Sequence, residues 1–119
     1  MIYTTYFAKL KTLPVDVIPV AICSKRPSWF NGLHYPRLKP EYDFFIKYKQ
    51  TGDMEYFTSC YNSLVLSKLN PHEVVQELYG LTGGKDLALV CYEKPSDFCH
   101  RHLVASWLTS NGYNCSEFC

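Results

Sequence analysis

No stretch of this chain approaches the roughly 20 consecutive apolar residues needed to cross a bilayer. The opening MIYTTYFAKLKTLPVDVIPVAIC also lacks a basic segment followed by an unbroken apolar run. The protein is therefore expected to be soluble, not exported and cytoplasmic, with no membrane partner. Charge of one sign is missing too, since 12 Lys and Arg stand against 11 Asp and Glu. That balance excludes a global field strong enough to draw in nucleic acid or an acidic membrane surface, so electrostatic recognition has to be local. No C-x-x-C pair occurs, which removes the simplest redox motif. A phosphate-binding loop closing from a cysteine to an arginine six residues on is absent as well: Cys23, Cys91 and Cys99 are followed at that distance by Trp29, Asp97 and Ala105. There is no internal repeat and no low-complexity tract.

What remains is an ordinary globular balance, 47% hydrophobic and 19% charged over 119 residues, which fits a single domain over 1–119. The six cysteines (Cys23, Cys60, Cys91, Cys99, Cys115 and Cys119) are expected as free thiols in a reducing compartment. IYTTYF (2–7), VDVIPVAIC (15–23) and the nearly uniform LALVCY (87–92) read as strands, with Pro19 marking a late start or a bulge in the second. PEYDFFIKYKQTG, MEYFTSCYNSLVLSKLN and NPHEVVQELYGLTGG read as helices, the last with Asn70 as cap and Pro71 at its first position. A fourth helix is predicted from a Ser96 or Asp97 cap to Gly112, leaving YNCSEFC as a short final strand. Strands alternating with helices predict an α/β domain with a small, mostly parallel sheet of about four strands. Ligands in such sheets sit beyond the carboxyl ends of the strands.

That is where LVCYEKPSDFCHRHLVASWL (89–108) crowds a cysteine, two histidines and an arginine. At about 100° per residue, His100 and Arg101 share the inward sector of the last helix with Val104, Ala105 and Leu108, while His102 faces outward. A helix N-terminus with Arg101 beside its unpaired N–H groups would seat a phosphate or carboxylate, with Glu93 orienting Arg101 or a ligand hydroxyl. In the alternative arrangement, Arg101 lies along the core and pairs with Glu93 while His100 bonds a loop carbonyl. Cys99 near a helix N-terminus and His100 is a candidate nucleophile. No metal or cofactor is expected: Cys91, Cys99, His100 and His102 lack the two-by-two spacing of structural zinc sites, and neighbouring helix residues diverge.

SKRPSWFNGLHYPRLKP (24–40) follows the second strand and carries Lys25, Arg26, Arg37 and Lys39 without an acidic residue, interleaved with Trp29, Phe30, His34 and Tyr35. Cations for phosphates and rings for bases suit a nucleotide or a single-stranded nucleic acid. The alternative is a loop whose rings cover the sheet edge.

With these residues in view, the chain resembles the prokaryotic and phage DUF488 family, in which an apolar strand ends in Cys and Glu and a helix opens with Cys-His-Arg. Here those residues are Cys91, Glu93, Cys99, His100 and Arg101. The second-strand exit reads AICSKRP where many relatives carry Asp-Val-Arg, leaving only Arg26 in a shifted context. The resemblance implies a Rossmann-like three-layer sandwich and supplies no activity. The leading expectation is a domain that binds an anionic small molecule or single-stranded nucleic acid through Arg101, Lys25, Arg26 and Trp29. Two other readings stay open. One is an enzyme acting on a nucleotide, glycosidic or phosphoester bond with His100 as acid or base and Glu93 or Cys99 assisting. The other is a protein-interaction module built on the aromatic loop.

Overall fold

The computed structural model describes residues 1–118, so Cys119 lies outside the described residues. The apolar runs become β1 (Ile2–Tyr6), β2 (Ile18–Ala21) and β4 (Leu87–Cys91), joined by two short strands, β3 (Leu33–His34) and β5 (Cys115–Glu117). All pairings are parallel, in the order β3-β2-β4-β1-β5, with five strands rather than four. β4 is buried at every residue because strands flank it on both edges, which explains its unbroken apolar text.

Pro19 is accommodated by register. The N–H groups of Ile18 and Ile22 point to β4, so position 19 faces the other edge, where β3 pairs only with Val20 and Ala21. The missing donor therefore falls beyond the end of the neighbouring strand.

α1 (Tyr42–Thr51), α2 (Met54–Leu64), α3 (Pro71–Thr82) and α4 (His100–Ser110) follow the predicted apolar stripes. α2 ends earlier than its periodicity suggests, with a 3-10 turn over Leu66–Lys68. All four helices bury residues against one sheet face: Phe44, Phe57, Tyr61, Val74, Leu78, Val104 and Leu108 join Val20, Ile22, Leu87 and Leu89 in one cluster. The opposite face is thinly covered. Phe7, in a 3-10 turn over Phe7–Thr12, and Phe30 of the long loop pack on Ala21, Cys23 and Val90 there. The result fits a Rossmann-like α/β sandwich with unequal outer layers. Among the described residues no helix is long and apolar enough to cross a membrane.

α4 departs most from the sequence expectation. Neither Ser96 nor Asp97 caps it; residues 92–98 turn away from the strand, with the Asp97 N–H on the Lys94 carbonyl, and the N-cap is Cys99 in extended conformation (φ −153°, ψ 144°). α3 begins as predicted, the Asn70 side chain accepting from the N–H groups of His72 (2.9 Å) and Glu73 (3.3 Å). Asn70→Ala is expected to cost about 1 kcal/mol of stability, read as a lower urea midpoint with unchanged slope.

Candidate ligand pocket

A pocket of about 220 Å³ opens beyond the carboxyl ends of β2 and β4. Cys23 and Lys25 line it from the exit of β2, Cys91, Tyr92 and Glu93 from the exit of β4, Phe45 and Lys49 from α1, and His100 from the start of α4. A wider hollow of about 330 Å³ near Met1, Tyr79 and Tyr113 lacks such a gathering of titratable groups. The strand-end pocket is held open by local bonds. The Tyr92 hydroxyl donates to the Lys25 carbonyl at 2.6 Å, and the Cys23 thiol reaches the same oxygen at 3.4 Å, so the two strand exits are tied together.

The sequence-predicted residues divide into three groups. Glu93, His100 and Lys25 line the pocket, with Cys99 close behind His100. Arg26 and Trp29 are exposed and outside the lining; Trp29 packs edge-on against Phe7, 5.9 Å between ring centres. Arg37 is held by Glu73 and Glu77. Arg101 lies beneath the pocket, fully buried, and follows the outline of the alternative arrangement with a different carboxylate. Its Nε and Nη2 donate to the two carboxylate oxygens of Glu117 at 3.1 and 3.0 Å, and Nη1 donates to the backbone carbonyl of Glu93 at 2.6 Å. Glu117 sits in the last short strand, and Lys49 on a helix far from the motif in sequence; neither carried a local signal. Only a topology placing β5 beside β1 and α1 over the β4 exit would have found them.

His100 is 8% exposed, and its Nε2 lies 2.8 Å from the Ile22 carbonyl. A carbonyl only accepts, so Nε2 carries the proton and a neutral ring presents the Nδ1 lone pair elsewhere. Nδ1 lies 3.8 Å from Cys91 Sγ and 4.0 Å from Cys99 Sγ. The argument that residues 99 and 100 must diverge fails for a physical reason: Cys99 is extended, outside the helical rotation, so its side chain converges with that of its neighbour. Cys91, Cys99 and His100, all buried, bring their donor atoms within 4.8 Å of one another, and His102 is not among them.

These groups perturb each other. The Cys91 thiol, as hydrogen-bond donor, holds the Cys99 thiol well below its ordinary value, and His100 and the backbone N–H of Arg101 act in the same direction against burial. Burial, together with the bond it gives to Cys99, pushes Cys91 well up. The proton of the pair therefore stays on Cys91. Burial also raises the Glu93 carboxyl, helped by the charge on Cys99, while Lys49, 4.0 Å away, pulls the other way. Cys23 is pushed up to about 11, chiefly by burial.

A parallel α/β sandwich with a titratable pocket at its strand ends makes this a Rossmann-like domain with a candidate ligand site. The chain belongs to the DUF488 family: the family model DUF488-N3a, described as the active DUF488-N3 subclade, matches residues 12–112. The matched span takes in β2, the pocket and α4, whereas β1 and Glu117 lie outside it. No curated protein and no solved structure matches the chain.

Two outcomes follow from the buried groups. Arg101→Ala removes both guanidinium bonds to Glu117 and the one to the Glu93 carbonyl and is expected to cost about 3–5 kcal/mol in urea unfolding. Arg101→Lys should recover little of this, because an ammonium cannot span both carboxylate oxygens. Glu93 has a folded value above its unfolded one, so its contribution is full below about pH 4 and is lost as pH rises through the folded value. Glu93→Gln should accordingly leave the melting temperature unchanged near that acid limit and raise it at neutral and alkaline pH, read by thermal unfolding across a pH series.

Proposed function

We propose that the pocket binds a small anionic ligand, a nucleotide or a similarly phosphorylated molecule carrying a ring. The observation that carries this reading is the composition of one wall-to-wall site: Lys25 and Lys49 with the rings of Phe45 and Tyr92 around a floor of His100 and Glu93. Among the described residues Lys25 has no ion pair, and Lys49 reaches Glu93 only at 4.0 Å across a largely exposed contact, so both ammonium groups are available to an incoming anion. Arg101 acts indirectly, by holding the pocket floor. A mononucleotide fits this arrangement better than a nucleic acid strand, because Arg26 and Trp29, which would extend a strand-binding track, lie outside the lining.

Catalysis on the bound ligand is a second reading, favoured by one observation. Two acidic groups lie close together, Glu93 in the pocket lining and Cys99 behind His100, and their surroundings push them apart, Cys99 toward the thiolate and Glu93 toward the protonated acid. A carboxyl whose proton is held more tightly than usual suits a general acid that protonates the leaving group of a glycosidic or phosphoester bond. His100 is less suited to that role, since one ring nitrogen is bonded to Ile22 and the other faces the sulfurs.

Thermal stabilisation of the purified protein by members of a nucleotide panel, with isothermal titration for the best of them, tests the binding reading. The Lys25→Ala/Lys49→Ala double variant is expected to weaken affinity at least tenfold with little change in unliganded stability. No stabilisation by any nucleotide, or an unchanged affinity in the folded double variant, would count against it. For catalysis, chromatography of nucleotides incubated with the protein should show a released base or phosphate that Glu93→Gln abolishes while binding persists.

A further inference from the structure

Cys91, Cys99 and His100 do more than close the floor of the pocket. Three soft or borderline donors from two elements bring their ligand atoms within 4.8 Å of one another in the interior, where polar atoms are usually placed to meet a partner. We infer that Cys91 Sγ, Cys99 Sγ and His100 Nδ1 form a binding site for a zinc-class divalent cation, with the fourth position open toward the pocket.

Three independent features carry this. The first is donor geometry. Metal–sulfur bonds of about 2.3 Å and metal–nitrogen bonds of about 2.0–2.1 Å at tetrahedral angles put nitrogen and sulfur roughly 3.6 Å apart. Nδ1 lies 3.8 Å from Cys91 Sγ and 4.0 Å from Cys99 Sγ, near that spacing, and because Cys91 Sγ is also 3.6 Å from Nε2 its side chain has to turn toward Nδ1 for the site to close. The second is the outer shell. Metal-bound imidazoles characteristically donate their other N–H to a carbonyl or carboxylate, which fixes the tautomer and the ring plane. His100 does this toward the Ile22 carbonyl at 2.8 Å. The third is access. Cys91 and His100 line the pocket, so a cation has a route in, and a water or a ligand group has room at the fourth position. Two thiolates, one imidazole and one open position make a donor set of the catalytic rather than the closed structural kind.

Hard cations are disfavoured here because the set offers sulfur and nitrogen where calcium and magnesium want oxygen. Cys23, Cys60 and Cys115 lie outside the converging group, although Cys23 borders the same pocket. Cys60 and Cys115 therefore provide internal controls.

Reduced full-length protein, titrated with cobalt(II) under argon, tests the site without reference to any substrate. One equivalent should develop the visible bands of tetrahedral cobalt together with a near-ultraviolet thiolate charge-transfer band, and zinc should displace both. Cys99→Ser and Cys91→Ser are expected to lose the charge-transfer band or cut it by about half, whereas Cys60→Ser and Cys115→Ser keep it whole. Should the two inner variants fail to fold, the wild-type protein decides: zinc should slow alkylation of Cys91 and Cys99 relative to Cys60 in peptide mapping. A folded, reduced protein that shows no cobalt bands, bands that persist unchanged in both inner variants, or alkylation rates indifferent to zinc would each overturn the assignment. Because cobalt is read directly, the site stands or falls independently of whether nucleotides bind above it.

Discussion

Arg101 holds the carboxyl edge of the sheet together. Its guanidinium is fully buried over the ring of Tyr6, grips Glu117 with two nitrogens and reaches the carbonyl of Glu93 with the third. One cation thus joins the exit of β4, the end of β5 and the first turn of α4. Desolvating such a charge costs several kcal/mol, and only complete pairing offsets it. The surroundings supply that completeness, since the Thr4 hydroxyl donates to the same Glu117 oxygen at 2.7 Å. A planar fork bound at both ends cannot slide along the sheet without breaking bonds on two strands. The start of α4 is pinned, and with it the positions of Cys99 and His100 over the last residue of β4.

The pinning explains the electrostatics of the pocket wall. Cys99 has a thiol, an imidazole and a backbone N–H around it, and ionises easily; Glu93, half-buried and close to that sulfur, is pushed toward its protonated form, first by burial and then by the charge on Cys99. Lys49 is too exposed and too distant to reverse this. In the proposed reading this arrangement would serve a ligand that brings negative charge, because the anion would meet the two lysines at the pocket wall while a carboxyl pushed toward its protonated form opposes it less. A cation at the cysteines would add to that attraction from below, so the proposed pocket ligand and the proposed metal favour each other.

Much of this architecture was legible in the text of the chain. Alternation of β-rich runs with helical stripes announced the parallel sheet, the uniform LALVC run its central strand, and the C-H-R segment the position of the site. Three things were not legible, each for a physical reason. β3 spans two residues and leaves no periodicity to detect, so the sheet gained a strand. Lys49 and Glu117 reach the site only through tertiary topology. The beginning of α4 was misplaced by about three residues because Ser96 and Asp97 are good capping types, yet the turn through Pro95 spends both before the helix starts. That last difference mattered most, since it changed Cys99 from a residue of the predicted helix into an extended one that points inward.

The inward turn of Cys99 also settles what the helix N-terminus does. Free N–H groups and the positive end of the dipole make the first turn of a helix a seat for an anion, and the motif invites a phosphate there. In the folded chain that first turn lies beside the Cys99 sulfur instead, and the Arg101 N–H adds to the larger effects of the Cys91 thiol and His100 that favour its ionised form. The protein fills its own anion seat with a thiolate, and Arg101, the neighbouring side chain that would have gripped a phosphate, is already bound to Glu117. The proposed external anion would meet the lysines farther out, while the sulfur, favoured in its ionised form by the Cys91 thiol first and then by His100 and the Arg101 N–H, keeps the lone pairs that a soft cation needs.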